Sequence, residues 1–420
     1  MAPLGKYALA TLLVGLSVFG FRATIGPMST NGLGKLLRDV IGGRDDGTTV
    51  ELLGAPAPFK REYTGIRGLD KQLAVLTGFF AALIDDRGAG WDTTAFFVWG
   101  MAQFVAGWTV LVLESRRSGN RGRLVSWVGT VGLIFQNLTW TFTVPLYLAL
   151  HLFTSPVAKL GGKDRKAVGD AARQSLFVYL WDLALLPMAV TLGLVVPTVV
   201  MSMPSLLHQT AATHYSWVAF WQAFPLWTVL IQDILHNACY YLFGSLTPQD
   251  AKGKPTTPGN GFMVAVAGVY QFGLTISVVS HIPILLISIL PDSLRSALAS
   301  TFPQYAPFIS QITFARTFVP YPLSAPPTID PAAYGPGDLA PLTVNFLQYD
   351  LYTGNLALLL WASYLHSTTA GRSVGETLRK TLFWTLLGGP SGAVIALLWD
   401  RDAVVKEGES KTAIQAKKTK

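Results

Sequence analysis

The chain has 420 residues, of which half are apolar and only 13% are charged, and its net charge is +8 at neutral pH. A soluble globular protein carries about 25% charged residues, so this composition excludes an ordinary soluble enzyme, a disordered chain and a coiled coil. The single cysteine, Cys239, excludes an intrachain disulfide and a cysteine-based zinc or iron–sulfur site. Apolar runs of about 20 residues instead predict a polytopic membrane protein.

Nine apolar segments are candidate membrane spans. In chain order they are Lys6–Ala23, Leu69–Ile84, Thr93–Leu113, Leu124–Phe153, Ser175–Met201, Trp217–Gly244, Phe262–Leu290, Val344–His366 and Leu382–Trp399. We therefore predict an all-α fold, a polytopic transmembrane helical bundle of eight or nine spans. Residues 1–68 form a first membrane helix and a partly ordered loop, residues 69–400 form the bundle that holds any active site, and residues 401–420 form a disordered basic tail.

The connections and breaks follow from proline, glycine and periodicity. A short amphipathic helix is predicted near Gly34–Ile41, and the Pro-rich connection Pro291–Pro341 is expected to contain a re-entrant or surface helix. Pro145 is expected to kink the fourth span, because proline frees a backbone carbonyl inside a helix. Residues Gly388-Gly389-Pro390 interrupt the ninth span.

The positive charge has a membrane explanation. Lysine and arginine lie in the loops and the tail, as is typical of membrane proteins. We therefore expect the lipid bilayer as a partner, and we expect no nucleic acid partner. The last residues, Lys417-Lys418-Thr419-Lys420, resemble a dilysine signal for retrieval to the endoplasmic reticulum. A plain basic tail is the alternative interpretation.

Familiar catalytic motifs are absent from the sequence. There is no Asp-Asp-x-x-Asp, and Asp85, Asp86 and Asp92 have the wrong spacing to hold a magnesium–diphosphate group from one helix face. No P-loop, His-Glu-x-x-His or Gly-x-Ser-x-Gly occurs, and the histidines lie far apart. The sequence argues against a diphosphate-ionising enzyme and a redox metalloenzyme, and it predicts neither a metal nor a cofactor.

Three acidic residues lie inside otherwise apolar spans. They are Asp182, Asp233 and Asp350. An ionised Asp at the bilayer centre costs about 2.5–3.5 kcal/mol on insertion scales, so such residues are functional candidates. Burial favours the neutral acid, which is the form that a proton-donating catalyst needs. The alternative is that each Asp only hydrogen-bonds a neighbouring helix and holds the bundle together.

Helical spacing groups polar partners on three of the spans. The stripes comprise Asn137, Trp140, Thr141, Val144, Tyr147 and His151; Gln222, Asp233, His236, Asn237 and Tyr240; and Asn345, Gln348, Tyr352 and Asn355, with Asp350, Gly354 and Trp361 beside them. In lipid these faces must turn inward. We therefore expect Asn137, His151, Asp233 and Asp350 to reach one internal pocket.

Aromatic residues on the same spans suggest a wall around that pocket. They are Trp181, Trp221, Trp227, Tyr240, Tyr349 and Trp361. Ring faces stabilise a carbocation, although Trp and Tyr also mark membrane interfaces. The substrate-binding candidates are Asp70, Gln136, Asn137, Trp140, Tyr147, His151, His236, Asn237, Gln348, Tyr349 and Trp361.

Three short stretches carry a family resemblance. They are Tyr63-Thr64-Gly65-Ile66 with Leu69-Asp70; Pro145-Leu146-Tyr147 through His151-Leu152 to Thr154-Ser155-Pro156; and Phe346-Leu347-Gln348-Tyr349-Asp350. With the span layout they resemble the non-canonical membrane-bound terpene cyclases of fungal meroterpenoid biosynthesis, of the ascofuranone and macrophorin type. The resemblance covers roughly residues 63–399.

The resemblance implies cyclisation of a farnesyl chain on a polyketide-derived aromatic ring, started by protonation of a terminal epoxide or alkene without metal. Among the residues of this sequence, the resemblance implies most directly that Asp350 is the acid that donates the proton. Asp70 and His151 carry over as site residues of unassigned role, whereas Asp182 rests only on its place in the membrane.

Two other classes of function stay open at this point. One is a transporter or channel for a hydrophobic metabolite, for which paired broken helices in matching halves would be expected. Residues 388–390 break one span, but the sequence has no matching half. The other is a non-catalytic membrane scaffold, which has no need for three separated acids inside the membrane.

Overall fold

The computed structural model describes residues 2–42, 51–85, 88–249 and 259–407. The regular elements among these residues are helical, which confirms the all-α prediction. In chain order they are α1 Ala2–Thr30, α2 Leu33–Gly42, α3 Arg67–Ile84, α4 Trp91–Ser115, α5 Val128–Leu138, α6 Trp140–Thr154, α7 Arg165–Ser175, α8 Leu180–Val190, α9 Val196–Ser202, α10 Ala211–Gln222, α11 Phe224–Phe243, α12 Gly259–Ser288, α13 Asp292–Thr301, α14 Ala306–Gln311, α15 Phe314–Phe318, α16 Ala340–Thr369 and α17 Val374–Asp402. A π-helical turn, Thr191–Val195, joins α8 to α9.

The prediction of eight or nine membrane spans is wrong. Within the described residues, five helical segments are long and apolar enough to cross a membrane: Gly5–Thr30, Trp91–Ser115, Leu180–Ser202, Asn260–Ser288 and Val374–Lys406. A sixth is possible if α10 and α11, which meet at a 71° bend, are counted as one span. These apolar helices indicate association with a membrane.

Three predicted spans account for the difference, and each has a physical reason. The segment Leu69–Ile84 falls in α3, whose first turns carry charged side chains and which is only 18 residues long. The segment Val344–His366 lies in α16, where asparagine, glutamine and aspartate lower the mean hydropathy. The segment Leu124–Phe153 is not one helix, because it divides into α5 and α6.

That division falls at Thr139 and not at Pro145, where the kink was predicted. Thr139 has a φ of 96°, a conformation that a β-branched residue rarely adopts, and it separates the end of α5 from the start of α6. Pro145 lies inside α6, which continues to Thr154. The backbone therefore changes direction six residues before the proline, and α6 starts inside the bundle.

The predicted break in the last helix is confirmed at Gly389, whose φ is 69°. Gln103 of α4 satisfies the groups that the break frees. Its Nε2 donates to the carbonyl of Gly388 at 3.0 Å, and its Oε1 accepts from the backbone N–H of Ser391 at 3.0 Å. A side-chain amide thus replaces the missing helical hydrogen bonds, as a break at membrane depth requires.

The predicted connecting helices are also present. The amphipathic helix expected near Gly34–Ile41 is α2, and the Pro-rich connection contains the short helices α13, α14 and α15. The helix α16 lies centrally and packs against α1, α3, α4, α6 and α17. Its position makes it the element around which a site inside the bundle is built.

A cluster of buried charges joins α4, α12 and α17. Arg401 pairs with Glu114 at 2.6 Å, and Arg117 pairs with Asp402 at 2.6 Å, with all four side chains at most 1% exposed. The hydroxyl of Tyr270 donates to Asp402 at 2.8 Å. The sequence placed Arg401 and Asp402 in a disordered tail, yet residues 401–407 are folded and contribute this cluster. The rest of that tail, including the dilysine pattern, lies outside the described residues.

Candidate active site

An apolar cavity of about 80 Å³ lies between α3, α4, α5, α6, α10 and α16, and we call it the aromatic cavity. Its aromatic lining consists of Phe80, Phe96, Phe97, Phe104, Phe135, Trp140 and Trp221. Among the described residues, Gln136 is the amide on this lining and Asp350 is the acid. A single carboxyl group therefore faces a cavity walled by rings, which is a composition suited to an apolar ligand.

The rings of the cavity wall are held by one another. The centroids of Phe104 and Trp140 are 4.8 Å apart, those of Phe135 and Trp140 are 5.0 Å apart, and those of Phe80 and Trp221 are 4.8 Å apart. Edge-to-face and tilted contacts of this kind fix the rings and leave their electron-rich faces available. Such faces attract a cation in a site without water.

Asp350 reaches the cavity from α16 and is fastened to the first turn of α6. Its Oδ1 accepts the backbone N–H of Thr141 at 2.8 Å. The side chain is half-buried, and its open part lines the cavity. The partial positive charge of a helix N-terminus favours a carboxylate there, whereas the apolar surroundings favour the neutral acid. The surroundings of Asp350 thus suit both the neutral acid, which donates the proton, and the carboxylate that remains afterwards.

The geometry of Thr139 sets up this contact. Its hydroxyl accepts the backbone N–H of Phe142 at 3.2 Å and so caps α6. Because its positive φ turns the chain abruptly, the first N–H groups of α6 point at α16 and not along the end of α5. Backbone strain at such a position is tolerated where the surroundings hold it, and it is often found at functional sites.

Two glycines make room for Trp140. A Cβ atom on Gly354 of α16 would lie 2.0 Å from Cδ1 of Trp140, and a Cβ atom on Gly107 of α4 would lie 3.4 Å from its Cζ2. The ring therefore lies between α4 and α16, and at Gly354 only glycine leaves room for it. These glycines determine how far the indole extends into the aromatic cavity.

The polar stripe predicted on α16 contacts the segment 317–321 and not the aromatic cavity. Asn345 accepts the N–H of Tyr321 at 2.9 Å, and Gln348 donates to the carbonyl of Thr317 at 3.0 Å. The hydroxyl of Tyr349 donates to the carbonyl of Tyr321 at 2.8 Å. These side chains fasten the segment 317–321 to α16, and the aromatic cavity lies on another face of the helix.

Other predicted site residues lie apart from the aromatic cavity. Asp70 accepts the backbone N–H groups of Thr64 and Gly65 at 2.7 and 3.0 Å and holds the loop before α3. Asn137 is exposed and bonds Gln72 at 2.8 Å.

Three more of these residues are buried at other places in the bundle. The hydroxyl of Tyr147 donates to the carbonyl of Val125 at 2.6 Å. The indole N–H of Trp361 donates to Nδ1 of His151 at 3.2 Å. None of the three lines the aromatic cavity.

Asp182, Asp233, His236 and Asn237 line a second cavity of about 610 Å³, which we call the polar cavity. It lies between the end of α4, α5, α8 and α11. Asp182 accepts Nδ1 of His236 at 2.9 Å, and Asp233 pairs with Arg116 at 2.6 Å. An acid already paired with arginine is a poor proton donor, so Asp350 has the better surroundings for that role.

The expectation that Asn137, His151, Asp233 and Asp350 share one void is therefore wrong. Of the six aromatic residues expected to form its wall, Trp221 lines the aromatic cavity and the others do not. Gln136 and Trp140 do line it beside Asp350. The phenylalanines were missed, because apolar helices carry many phenylalanines and spacing alone does not show which of them meet.

Comparison with known proteins gives an independent finding. The model of the CtvD domain family matches residues 9–406. The chain is 26% identical to terpene cyclase ascI of Acremonium egyptiacum, over 97% of this chain and 95% of that protein. It is 24% identical to terpene cyclase ctvD of Aspergillus terreus (93% and 98% covered) and 24% identical to terpene cyclase janA of Penicillium janthinellum (94% and 95%). No solved structure matches the chain.

Proposed function

The chain belongs to the CtvD domain family and is a terpene cyclase, and we propose that it protonates the terminal epoxide or alkene of a farnesylated aromatic substrate. The observation that carries the proposal is the carboxyl group of Asp350 on the lining of the aromatic cavity. A neutral carboxylic acid in apolar surroundings is a suitable general acid. The prenyl chain is the apolar part of the substrate, and the ring-lined wall matches it in polarity.

The proposed reaction is a proton-initiated isomerisation. Asp350 transfers its proton to the epoxide oxygen, the carbon–oxygen bond opens to a tertiary cation, and the next alkene attacks that cation and closes a ring. Loss of a proton from carbon then gives an alkene, and the carboxylate held by the N–H of Thr141 is positioned to accept it. The aromatic wall stabilises the cation and excludes water that would trap it. Substrate and product have the same formula.

We place this enzyme in a membrane, in the endoplasmic reticulum. Apolar side chains project from its surface: Val264, Val279, Leu382 and Leu386 are each more than 60% exposed. Such side chains are well accommodated by lipid and are costly in water. A farnesylated substrate would itself partition into the same bilayer.

The proposal is tested with the full chain in yeast microsomes. Farnesylated phenols and their terminal epoxides are supplied, and products are analysed by mass spectrometry and NMR for cyclised isomers of unchanged mass. Microsomes that lack the chain are the control. A folded, membrane-inserted protein that converts neither class of substrate would contradict the proposed reaction.

The fit of Trp140 predicts a change in chain-length preference. In Gly354→Ala the new methyl group would lie 2.0 Å from the indole, so the ring must shift, and we expect it to shift into the aromatic cavity that it lines. Loss of space for about one methylene group changes discrimination by about tenfold or more, so kcat/KM should shift toward a geranylated substrate relative to a farnesylated one.

The ratio of the kcat/KM values for the geranylated and the farnesylated substrate does not depend on the amount of folded enzyme. The matched control is Gly268→Ala on α12, where an added Cβ meets nothing within 4 Å. An unchanged ratio in Gly354→Ala would show that Trp140 does not limit the chain that the cavity accepts.

A further inference from the structure

We propose that the polar cavity binds the hydroxylated aromatic head of the substrate while the prenyl chain occupies the aromatic cavity. The inference rests on the proposed function and adds a second binding site to it. The polar cavity offers a hydrogen-bond acceptor, cationic donors and aromatic surfaces within one open space. Each of these has a counterpart in a phenol that carries a carbonyl group.

His236 supplies the acceptor. The buried carboxylate of Asp182 lies 2.9 Å from Nδ1 of His236, and Gln232 donates to the same carboxylate and to its backbone carbonyl. A carboxylate accepts a hydrogen bond, so we assign the tautomer that carries its proton on Nδ1. Nε2 is then a free acceptor on a side chain that lines the cavity, and it suits a phenolic hydroxyl group.

Arginine supplies the donors. Arg116 forms its ion pair with Asp233 on the cavity lining. Arg121 stacks over the ring of Tyr179 at 4.3 Å, and among the described residues its guanidinium group has no carboxylate partner. A planar guanidinium with free N–H groups binds a carbonyl or phenolate oxygen in a fixed geometry. Tyr179 and Trp127 provide surfaces on which an aromatic ring can stack.

The helix α5 lines both cavities. Gly129 and Leu133 line the polar cavity, and Phe135 and Gln136 line the aromatic cavity. Leu133 and Gln136 are one helical turn apart, which is about 5 Å along the axis. An extended farnesyl chain is longer than this separation, so a head in the polar cavity leaves enough chain to reach the aromatic cavity.

The surroundings of the polar cavity also suit an amphipathic substrate. Trp127 on its rim is 57% exposed, and Tyr240 and Tyr241 at the nearby end of α11 are 55% and 88% exposed. Exposed tryptophan and tyrosine side chains are typical of the membrane interface. A head bound there stays near water while the chain reaches into the apolar interior.

The test uses Arg121→Gln and His236→Gln in the full chain, with KM and kcat measured separately on an epoxidised farnesyl phenol aldehyde. Each variant removes one hydrogen bond to the head, so KM should rise about tenfold with little change in kcat. Dihydroxybenzaldehyde without a prenyl chain should inhibit the wild type competitively and inhibit both variants less. Arg121 is exposed, so its variant is not expected to affect folding.

The control is Asp170→Asn on α7, which removes an exposed acid that is paired with Arg173 at 3.7 Å and lines neither cavity. Saturation-transfer NMR on the purified protein reports binding of dihydroxybenzaldehyde independently of turnover. Unchanged KM in both variants, together with isomer formation by the wild type, would overturn the head site. A wild type that binds dihydroxybenzaldehyde but forms no isomer would keep the site and contradict the proposed reaction.

Discussion

Replacing Asp350 by asparagine is expected to lower the rate of cyclisation by about 10²-fold or more, the usual contribution of a general acid. The amide keeps the size of the side chain and an oxygen that can accept the N–H of Thr141, now 2.8 Å from the carboxylate. The change therefore removes the proton and preserves the contact between α16 and α6. The rate of isomer formation in microsomes is measured and normalised to the amount of folded protein.

Asp170→Asn serves as the control, since Asp170 lies on the exposed helix α7 and its variant should cyclise at the wild-type rate. Folding of Asp350→Asn is checked by size-exclusion chromatography, because an acid inside a bundle can be structural. A folded Asp350→Asn enzyme with the wild-type rate would remove Asp350 as the acid. If Asp233→Asn were then inactive, the role would pass to the polar cavity.

The prediction of Asp350 was possible because an acid in an apolar helix is costly and therefore informative. The same reasoning selected Asp182 and Asp233, and it did not separate the three. The structure separates them by their partners: His236 and Arg116 pair with two of the acids, whereas Asp350 meets a helix N-terminus and a ring-lined cavity. Such partners come from distant parts of the chain, which helical spacing does not reveal.

The polar stripes predicted the residues of the cavity less well than the acids in apolar helices did, and the reason is related. Periodicity identifies one face of a helix but not the element that covers it. The stripe on α16 was expected to line a pocket, yet Gln348 and Asn345 bond the backbone of residues 317–321. The backbone groups at the end of α15 and after it need such partners, and no sequence signal indicates where this segment lies.

The break at Thr139 shows a further limit. Proline is the usual sequence signal for a helix break, so Pro145 was the natural choice. The structure breaks the helix at a threonine with positive φ, and the contact with Asp350 helps to stabilise the new helix start. Gly389, in contrast, is both a sequence signal and the observed break, since glycine adopts positive φ without strain.

Removing the charge of Arg401 is expected to have the largest effect on stability. In Arg401→Met the carboxylate of Glu114 loses its bidentate partner, whose two contacts measure 2.6 and 3.1 Å, in a place that water does not reach. Breaking a buried ion pair from one side destabilises a protein by about 3–5 kcal/mol. The thermal unfolding of the purified protein in detergent and the yield of folded protein are measured.

Arg165→Met is the matched control, because Arg165 makes a similar pair with Glu407 at 2.8 Å on the surface, where about 0–1 kcal/mol is expected. The double variant Arg401→Met with Glu114→Gln separates charge from packing. In Arg401→Met, Glu114 and Asp402 share Arg117 as their arginine partner; neutralising Glu114 removes the excess negative charge, so the double variant should be more stable than Arg401→Met alone. A double variant that is less stable still would mean that Arg401 acts through its packing between α4 and α17, and that the charges of the cluster contribute little.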